Sequence, residues 1–174
     1  MYLFLPGNNK DNKQWCESLR DSFDEKDKLM LFYNHWIGDG NIDWNTELDK
    51  IMGLKIQGKT YVIGKSAGCI LGMKAQKLGY LDVGAYIFIG FPYYWALNRG
   101  DEVDYLLENL KTKALFIQKP KDPVIGYKEL DTILKAKSLN VKTTEYKRPN
   151  ERDDNHSYED IEYLKKEIRK FMKN

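Results

Sequence analysis

Ser66 stands in the pentapeptide Gly64-Lys65-Ser66-Ala67-Gly68, which fits the pattern G-x-S-x-G. The pentapeptide directly follows the apolar run Tyr61-Val62-Ile63 and precedes an amphipathic stretch, as in a strand–turn–helix unit. In such a turn the serine is strained at positive φ and raised clear of the sheet, and the glycines leave room for neighbouring backbone. We therefore predict that Ser66 is a nucleophile. A plain glycine-rich turn between a strand and a helix is the alternative.

A serine hydroxyl is a poor nucleophile unless a base is positioned to take its proton. The chain has 2 histidines, His35 and His156. His156 follows the last apolar run, in a polar loop ahead of the closing helix, and we predict that it is the base. A solvated loop histidine is the alternative there. His35 lies among aromatic residues in Tyr33-Asn34-His35-Trp36, which is more typical of a histidine that packs or supports a site from behind.

The base must in turn be oriented by an acid. Asp122 lies just beyond the fifth apolar run, in Lys119-Pro120-Lys121-Asp122-Pro123. Asp-Pro commonly marks a plain turn, but Asp122 completes the chain order serine, aspartate, histidine. Asp153 and Asp154 are rivals that adjoin the histidine and are expected to solvate its loop. We predict that Asp122 is the acid.

An oxyanion hole requires two donors aimed at the oxygen of a tetrahedral intermediate. One is expected to be the backbone N–H of Ala67, the residue after the nucleophile. The other is expected from the loop after the first apolar run, which reads Leu5-Pro6-Gly7-Asn8-Asn9. The Asn8 amide is the first choice and the Asn9 amide the second. An ordinary strand-to-helix turn is the alternative.

Short apolar runs alternate with longer amphipathic stretches along the whole chain. The runs predict strands at 2–5, 29–33, 60–63, 85–89, 114–117 and 141–146. The stretches predict helices at 13–23, 44–55, 67–78, 102–110 and 127–137, followed by a closing helix with the apolar stripe Ile161, Leu164, Ile168 and Phe171. Ser157 and Asp160 are expected to form the N-terminal capping pair of that helix.

Strict alternation of strand and helix predicts a parallel sheet that is covered on both faces. We expect an α/β fold, a three-layer α/β/α sandwich with a six-stranded, mostly parallel, doubly wound sheet of order 2-1-3-4-5-6. The polar run 141–146 suits an edge strand. No linker or repeat interrupts the pattern, so residues 1–174 are expected to form a single domain. In such sheets function lies beyond the carboxyl ends of the strands, where Ser66, Asp122 and His156 all fall.

Charge and cysteine content exclude several classes of function. The 174 residues carry 28 Lys and Arg against 26 Asp and Glu, without blocks of like charge, so no nucleic-acid partner and no membrane binding are expected. Isolated Cys16 and Cys69 predict buried thiols of a reducing compartment, and scattered Cys and His predict no metal site. The apolar N-terminus is too short for a signal segment, and no run approaches the roughly 20 residues of a membrane span. We therefore expect a cytoplasmic protein.

The motifs together resemble those of the α/β-hydrolase superfamily over nearly the whole chain. The resemblance rests on Pro6-Gly7-Asn8, the pentapeptide around Ser66, Asp122-Pro123 and His156-Ser157. The chain is most similar to small lidless serine hydrolases of the retinoblastoma-binding-protein-nine type, with the dienelactone-hydrolase-like group as a second candidate. Members with a cap domain insert it after the fourth strand, where the short stretch between 89 and 101 leaves no room for one. Lys65 departs from the family, which often has His, Tyr or Asp before the serine.

A run of aromatic residues follows the fourth predicted strand, at the carboxyl edge of the sheet. These residues either line a shallow acyl pocket or cover the edge of the core, and the sequence leaves both open. Together with residues of other loops at this edge they suggest a small, open, apolar site. The candidate pocket residues are Asn9, His35, Trp36, Phe91, Tyr93, Tyr94 and Trp95.

The resulting hypothesis is a serine hydrolase that cleaves a small carboxylic ester through an acyl-serine intermediate, without a cofactor. Thioesters and amides are open to the same machinery, and so is acyl transfer to an acceptor other than water. The alternative from a different class is a catalytically silent binding module, because a fold does not fix a function. The expected partner is a small acyl substrate, and the oligomeric state stays open between a monomer and a weak dimer.

Overall fold

The computed structural model describes residues 1–38, 40–137 and 139–173. Strands and helices alternate along the chain, as the sequence predicts. The strands are β1 (Tyr2–Leu5), β2 (Lys28–Met30), β3 (Thr60–Lys65), β4 (Val83–Ile89), β5 (Ala114–Gln118) and β6 (Val141–Glu145). The helices are α1 (Asn12–Asp21), α2 (Trp44–Gly53), α3 (Ala67–Lys77), α4 (Tyr93–Asn98), α5 (Val103–Glu108), α6 (Tyr127–Ala136) and α7 (Ile161–Met172), and a short 3-10 helix spans Asn34–Ile37.

The six strands are parallel and lie in the order β2-β1-β3-β4-β5-β6, which confirms the predicted sheet. The winding direction reverses between β1 and β3, and such a reversal point is where open α/β sheets bind ligands. Leu5 pairs with Gly64, and Lys65 pairs with Ile89. The carboxyl ends of the three central strands are therefore level, and they meet the loops that carry the predicted site.

Each face of the sheet buries its own apolar layer, because successive strand residues point to opposite faces. Leu5 and Phe88 belong to the layer that also receives residues of α2 to α6. Phe4 and Ile63 belong to the layer formed with α1 and α7. The result is the expected arrangement of three layers. Among the described residues, no helix combines the length and apolar character that crossing a membrane requires.

The second strand is shorter than predicted, since β2 ends at Met30 although apolar residues continue to Tyr33. Leu31 N still donates to Phe4 O at 3.0 Å, and the chain then turns into the 3-10 helix. Tyr33 is fully buried, and its hydroxyl donates to Pro6 O at 2.8 Å. The apolar run therefore continues because Tyr33 is buried beneath the loop after β1, not because it pairs in the sheet.

The predicted capping pair of the closing helix is wrong. α7 begins at Ile161, and the Asp160 side chain accepts a hydrogen bond from Tyr163 N at 2.9 Å. Asp160 is therefore itself the N-cap. Ser157 lies three residues earlier, in the loop that carries His156.

The stretch between β4 and α5 forms a short helix, α4, which the sequence analysis did not predict. Pro92 precedes this helix and accepts a hydrogen bond from Ala96 N at 2.9 Å. Ala96 is fully buried, so the helix packs against the body of the protein. The segment leaves no room for a cap domain over this edge of the sheet.

Gly68→Ala is expected to destabilise the protein, because α3 touches the end of β1 at this residue. A Cβ added to Gly68 would lie 2.0 Å from Leu5 O and 2.7 Å from Pro6 O. Both are backbone atoms that cannot move aside alone, so we expect a loss of about 1–3 kcal/mol or more in the free energy of unfolding. Urea unfolding measures it.

Gly53→Ala at the end of α2 is the matched control, because no atom would lie within 4 Å of the added Cβ. This control is expected to be neutral or to stabilise the protein by up to about 1 kcal/mol. Equal unfolding free energies for the two variants would contradict the close contact at Gly68.

Candidate active site

Ser66 forms the tight turn between β3 and α3. Its backbone has φ 50° and ψ −121°, a conformation that is rare outside glycine and that clusters at functional sites. Ser66 N donates to Ile89 O at 3.0 Å, and Cys69 N donates to Ser66 O at 2.8 Å. These bonds tie the turn to the end of β4 and to the first turn of α3. Ser66 is half-buried, so it stays accessible at the carboxyl edge of the sheet.

The first glycine of the pentapeptide allows the helix to start this close to the strand. A Cβ added to Gly64 would lie 2.8 Å from Cys69 N and 2.9 Å from Gly68 C. Gly64 therefore faces the first turn of α3, as Gly68 faces the end of β1. The two glycines do what the sequence predicts of them, since each leaves room for neighbouring backbone.

His156 and Asp122 form a close pair across two loops. His156 Nδ1 lies 2.9 Å from Asp122 Oδ1 and 2.8 Å from Oδ2. Because a carboxylate only accepts, Nδ1 is the donor, and the neutral ring carries its free lone pair on Nε2. The buried Asp122 carboxylate also accepts hydrogen bonds from Val124 N at 2.9 Å and from Tyr158 OH at 2.7 Å. These contacts hold the imidazole in the orientation that a general base requires.

The two rival carboxylates lie elsewhere. Asp153 Oδ2 is 3.4 Å from Lys121 Nζ, and Asp154 Oδ1 is 2.9 Å from Arg152 Nε. In the described part of the chain neither is hydrogen-bonded to His156. Within the same part, no group of three or more His, Cys, Asp or Glu side chains is placed to hold a metal ion.

The His156 ring lies over Gly90, next to the backbone partner of Ser66. A Cβ added to Gly90 would lie 2.9 Å from His156 Cε1, and Ile89, one residue earlier, accepts the bond from Ser66 N. His156 Nε2 is buried and has no hydrogen-bond partner among the described residues, so it is not bonded to the Ser66 hydroxyl. Hydrogen bonds of this kind are often long or poorly aligned without substrate. The structure thus brings the two residues to adjacent strand ends and leaves Nε2 unpaired.

A buried lysine, which the sequence analysis missed, supports the loop of His156. Lys119 is 1% exposed. Its Nζ donates to Arg152 O at 2.6 Å and to Asn155 Oδ1 at 2.8 Å, and lies 3.3 Å from Glu151 Oε2. Its backbone N–H donates to Tyr158 OH at 3.1 Å, so Lys119 also contacts the tyrosine whose hydroxyl donates to Asp122. A lysine that directly follows the last residue of β5, Gln118, was the available sequence signal.

The predicted oxyanion donors lie on the two loops that meet at this edge. Ala67 is the first residue of α3, and its N–H therefore has no intrahelical acceptor. The Asn8 and Asn9 N–H groups also have no acceptor among the described residues. The Asn8 carbonyl accepts from His35 Nε2 at 2.7 Å and from Trp36 Nε1 at 3.0 Å. These bonds fix the Asn8 peptide, whereas Asn9 is exposed, and they place His35 behind the loop.

The predicted aromatic pocket needs correction. Phe91 is fully buried against Phe88 in the core, and Trp36 is 3% exposed, so neither lines an open site. None of the aromatic candidates lines the cleft that opens beside His156. Tyr93 is largely buried, whereas Tyr94 is 38% exposed. Tyr93, Tyr94 and Trp95 contact Asp104, Glu129 and Trp44, respectively.

The cleft beside His156 lies between the N-terminal end of α1, the end of β3 and the histidine loop. Its lining includes Lys65, His156 and Asn9, of which Asn9 alone was predicted as a pocket residue. Trp15 Nε1 donates to Tyr158 O at 2.5 Å, which ties α1 to the histidine loop. Lys65 Nζ lies 5.7 Å from the centroid of the Trp15 ring. The cleft therefore has a buried lysine, Lys65, among its lining residues.

Lys65 is 6% exposed, and among the described residues its ammonium group has neither a hydrogen-bond acceptor nor an ion-pair partner. Burial lowers the pKa of Lys65 to about 8. The Asp122 carboxylate opposes this shift, and the Lys119 ammonium adds to it. A buried charge without a partner destabilises the folded state.

Lys65→Met is expected to stabilise the protein at neutral pH. The unfolded chain binds the lysine proton with the ordinary pKa of 10.5, and the folded chain binds it with a pKa of about 8, a difference that costs about 3 kcal/mol. This cost is complete below pH 8 and fades as the pH rises toward 10.5. The advantage of the methionine variant should therefore shrink between about pH 7 and about pH 9.5. Urea unfolding of both proteins checks this, and an advantage that does not change with pH would contradict it.

No protein-family model matches the chain, and no curated protein matches it in sequence. Solved structures do resemble it. Est1E from Butyrivibrio proteoclasticus, solved with ferulic acid bound, has a TM-score of 0.71 and 14% identity, with 98% of this chain and 87% of that chain covered.

Two further structures carry the name hydrolase. A protein described as a YdeN-like hydrolase, from Pectobacterium atrosepticum, has a TM-score of 0.68 and 12% identity, over 98% of this chain and 89% of its own. Alpha/beta hydrolase domain-containing protein 10 from mouse has a TM-score of 0.62 and 15% identity, over 99% of this chain and 89% of its own. Sequence identities this low establish similarity of fold alone. Membership of the retinoblastoma-binding-protein-nine branch therefore stays a prediction. The fold of this chain is therefore that of the α/β hydrolases.

Proposed function

We propose that this protein is a serine hydrolase that cleaves small carboxylic esters through an acyl-serine intermediate. One observation carries the proposal. The buried Asp122 carboxylate holds His156 through Nδ1 at 2.8 Å and leaves Nε2 unpaired, with the ring over Gly90, the residue after the backbone partner of Ser66. A base oriented in this way and a serine at positive φ are what acyl transfer requires. The named hydrolases that share the fold support the same class of reaction.

In the first half-reaction Ser66 Oγ attacks the carbonyl carbon of the ester, and His156 Nε2 accepts the hydroxyl proton. The carbonyl oxygen becomes an oxyanion, for which the Ala67 and Asn8 N–H groups are the proposed donors. The intermediate then collapses. The bond to the alcohol oxygen breaks, the imidazolium returns its proton to the leaving alcohol, and the acyl group stays on Ser66.

In the second half-reaction water replaces the serine hydroxyl as the attacking group. His156 removes a proton from the water while the water oxygen attacks the acyl carbon. The bond to Ser66 Oγ then breaks, the imidazolium gives its proton to Oγ, and the carboxylic acid leaves. Asp122 keeps the imidazole in one tautomer and stabilises the imidazolium that forms in both halves. Thioesters and amides fit the same steps, and acyl transfer differs only in the acceptor.

A catalytically silent binding module is the second candidate, and one observation favours it. The Ser66 hydroxyl and His156 Nε2 form no hydrogen bond in the described structure. If the two groups stayed apart when a ligand binds, the site would bind the ligand without cleaving it. Activity measurements separate the two candidates.

We expect the wild-type protein to hydrolyse 4-nitrophenyl acetate, and we expect Ser66→Ala to abolish this activity. His156→Ala should lower kcat/KM by roughly 10²- to 10⁴-fold, the range over which a general base contributes. His35→Ala should cost less, about tenfold or below, because His35 reaches the site only through the Asn8 carbonyl. Release of nitrophenol by purified proteins, with circular dichroism as a check of folding, measures all three.

The pair of histidine variants makes the assignment of the base falsifiable. A larger loss for His35→Ala than for His156→Ala would reverse it. A folded wild type without activity that depends on Ser66, on acetate and butyrate esters alike, would favour the binding module.

A further inference from the structure

The Lys65 side chain is an unpaired cation at the floor of the cleft that His156 also lines. It is 6% exposed, and the described structure gives it neither an acceptor nor a counter-ion. The catalytic steps proposed for Ser66, His156 and Asp122 make no use of it. A buried ammonium group that lines an open cleft is suited to receive an anionic group from a ligand.

Two other donors line the same cleft and have no acceptor among the described residues. They are the side-chain amide Nδ2 of Asn9 and the hydroxyl of Ser157. The loop that presents Asn9 is held in place, because Asn9 Oδ1 accepts from Asp11 N at 3.1 Å and Asn9 O accepts from Asn12 Nδ2 at 2.9 Å. Two neutral donors and one cation are a donor set that matches the two oxygens of a carboxylate.

We propose that the preferred substrates are esters that carry a carboxylate, which binds in this cleft against Lys65 while the ester carbonyl lies at Ser66. The proposal rests on the function proposed for Ser66 and names its substrate class. Lys65 and Ser66 are consecutive residues at the end of β3, and the cleft that Lys65 lines is also bordered by His156. A monoester of a short dicarboxylic acid carries both groups that this arrangement requires, an ester carbonyl and a nearby carboxylate.

Two carboxylates at the mouth of the cleft repel an anion, and this repulsion is smaller than the attraction from the Lys65 ammonium. Asp11 and Glu159 line the cleft and are exposed. In the described structure neither forms an ion pair with Lys65, and exposed charges are screened by salt and water. Lys65 is buried at the floor, where a charge interaction is less screened.

Matched pairs of esters test the proposal. One pair is 4-nitrophenyl hemiglutarate and 4-nitrophenyl valerate, which have acyl chains of equal carbon number and differ in a terminal carboxylate. The second pair places the charge on the alcohol side, as in 4-acetoxybenzoate and 4-tolyl acetate. At pH 7 the wild type should prefer the anionic member of at least one pair, and Lys65→Met should lower that preference roughly tenfold or more in kcat/KM.

Lys13→Met is the control for loss of one positive charge near the site. Lys13 lies on α1, its side chain is 44% exposed, and its Nζ is 4.0 Å from Glu17 Oε1. This variant should change the preference by less than about twofold. The ratio within each protein is the readout, so general damage to the Ser66 turn affects both esters and cancels.

The outcomes separate this inference from the proposed function. Turnover that depends on Ser66 for all the esters, with the same preference in wild type and Lys65→Met, overturns the inference and leaves the hydrolase intact. An equal loss of preference in Lys13→Met also overturns it, because the effect would then be one of net charge. Absence of turnover for every ester in the folded wild type overturns both.

Discussion

The contact between the start of α3 and the end of β1 is the constraint on which the rest of the site depends. Gly68 touches the Leu5 carbonyl, and Gly64 faces the first turn of the same helix. A helix that begins this close to the sheet forces the preceding residue, Ser66, to φ 50°. The same contact brings the loop after β1 to the helix N-terminus, so the strained serine and the proposed oxyanion donors share one origin.

The proposed acid and base, Asp122 and His156, depend on a second constraint, which is the need to satisfy buried polar groups. Asp122 is 4% exposed and accepts hydrogen bonds from His156, Tyr158 and Val124 N. Lys119 is more deeply buried still and bonds the histidine loop. The Tyr158 hydroxyl links them, because it accepts from Lys119 N and donates to Asp122, and these shared bonds hold the loops after β5 and β6 in one arrangement. Lys65 contrasts with Lys119, since it is buried to a similar degree and has neither a hydrogen-bond acceptor nor a counter-ion in the described structure.

The sheet and its order followed from sequence pattern alone, because the central strands are continuous apolar runs between amphipathic helices. The pairing of Asp122 with His156 was predicted from chain order and is seen in the contacts. The apolar pattern predicted the end of β2 wrongly, because an apolar residue can be buried without pairing in the sheet. Tyr33 is such a residue, since it is buried beneath a loop. The same pattern left the aromatic residues after β4 open, since apolar character does not distinguish a pocket wall from the core edge. The support from Lys119 arises only when distant loops meet, and a single sequence carries little trace of that.

The central claim is that the geometry around Ser66 activates that one hydroxyl, and a covalent probe tests this most directly. A fluorophosphonate reacts with a serine whose proton a base removes, and mass mapping of the digested protein then locates the adduct. The account predicts an adduct on Ser66 in the wild type, and none on that residue in folded His156→Gln, which lacks the base. A folded wild type that stays unmodified at Ser66, or that reacts equally at other serines, would contradict it.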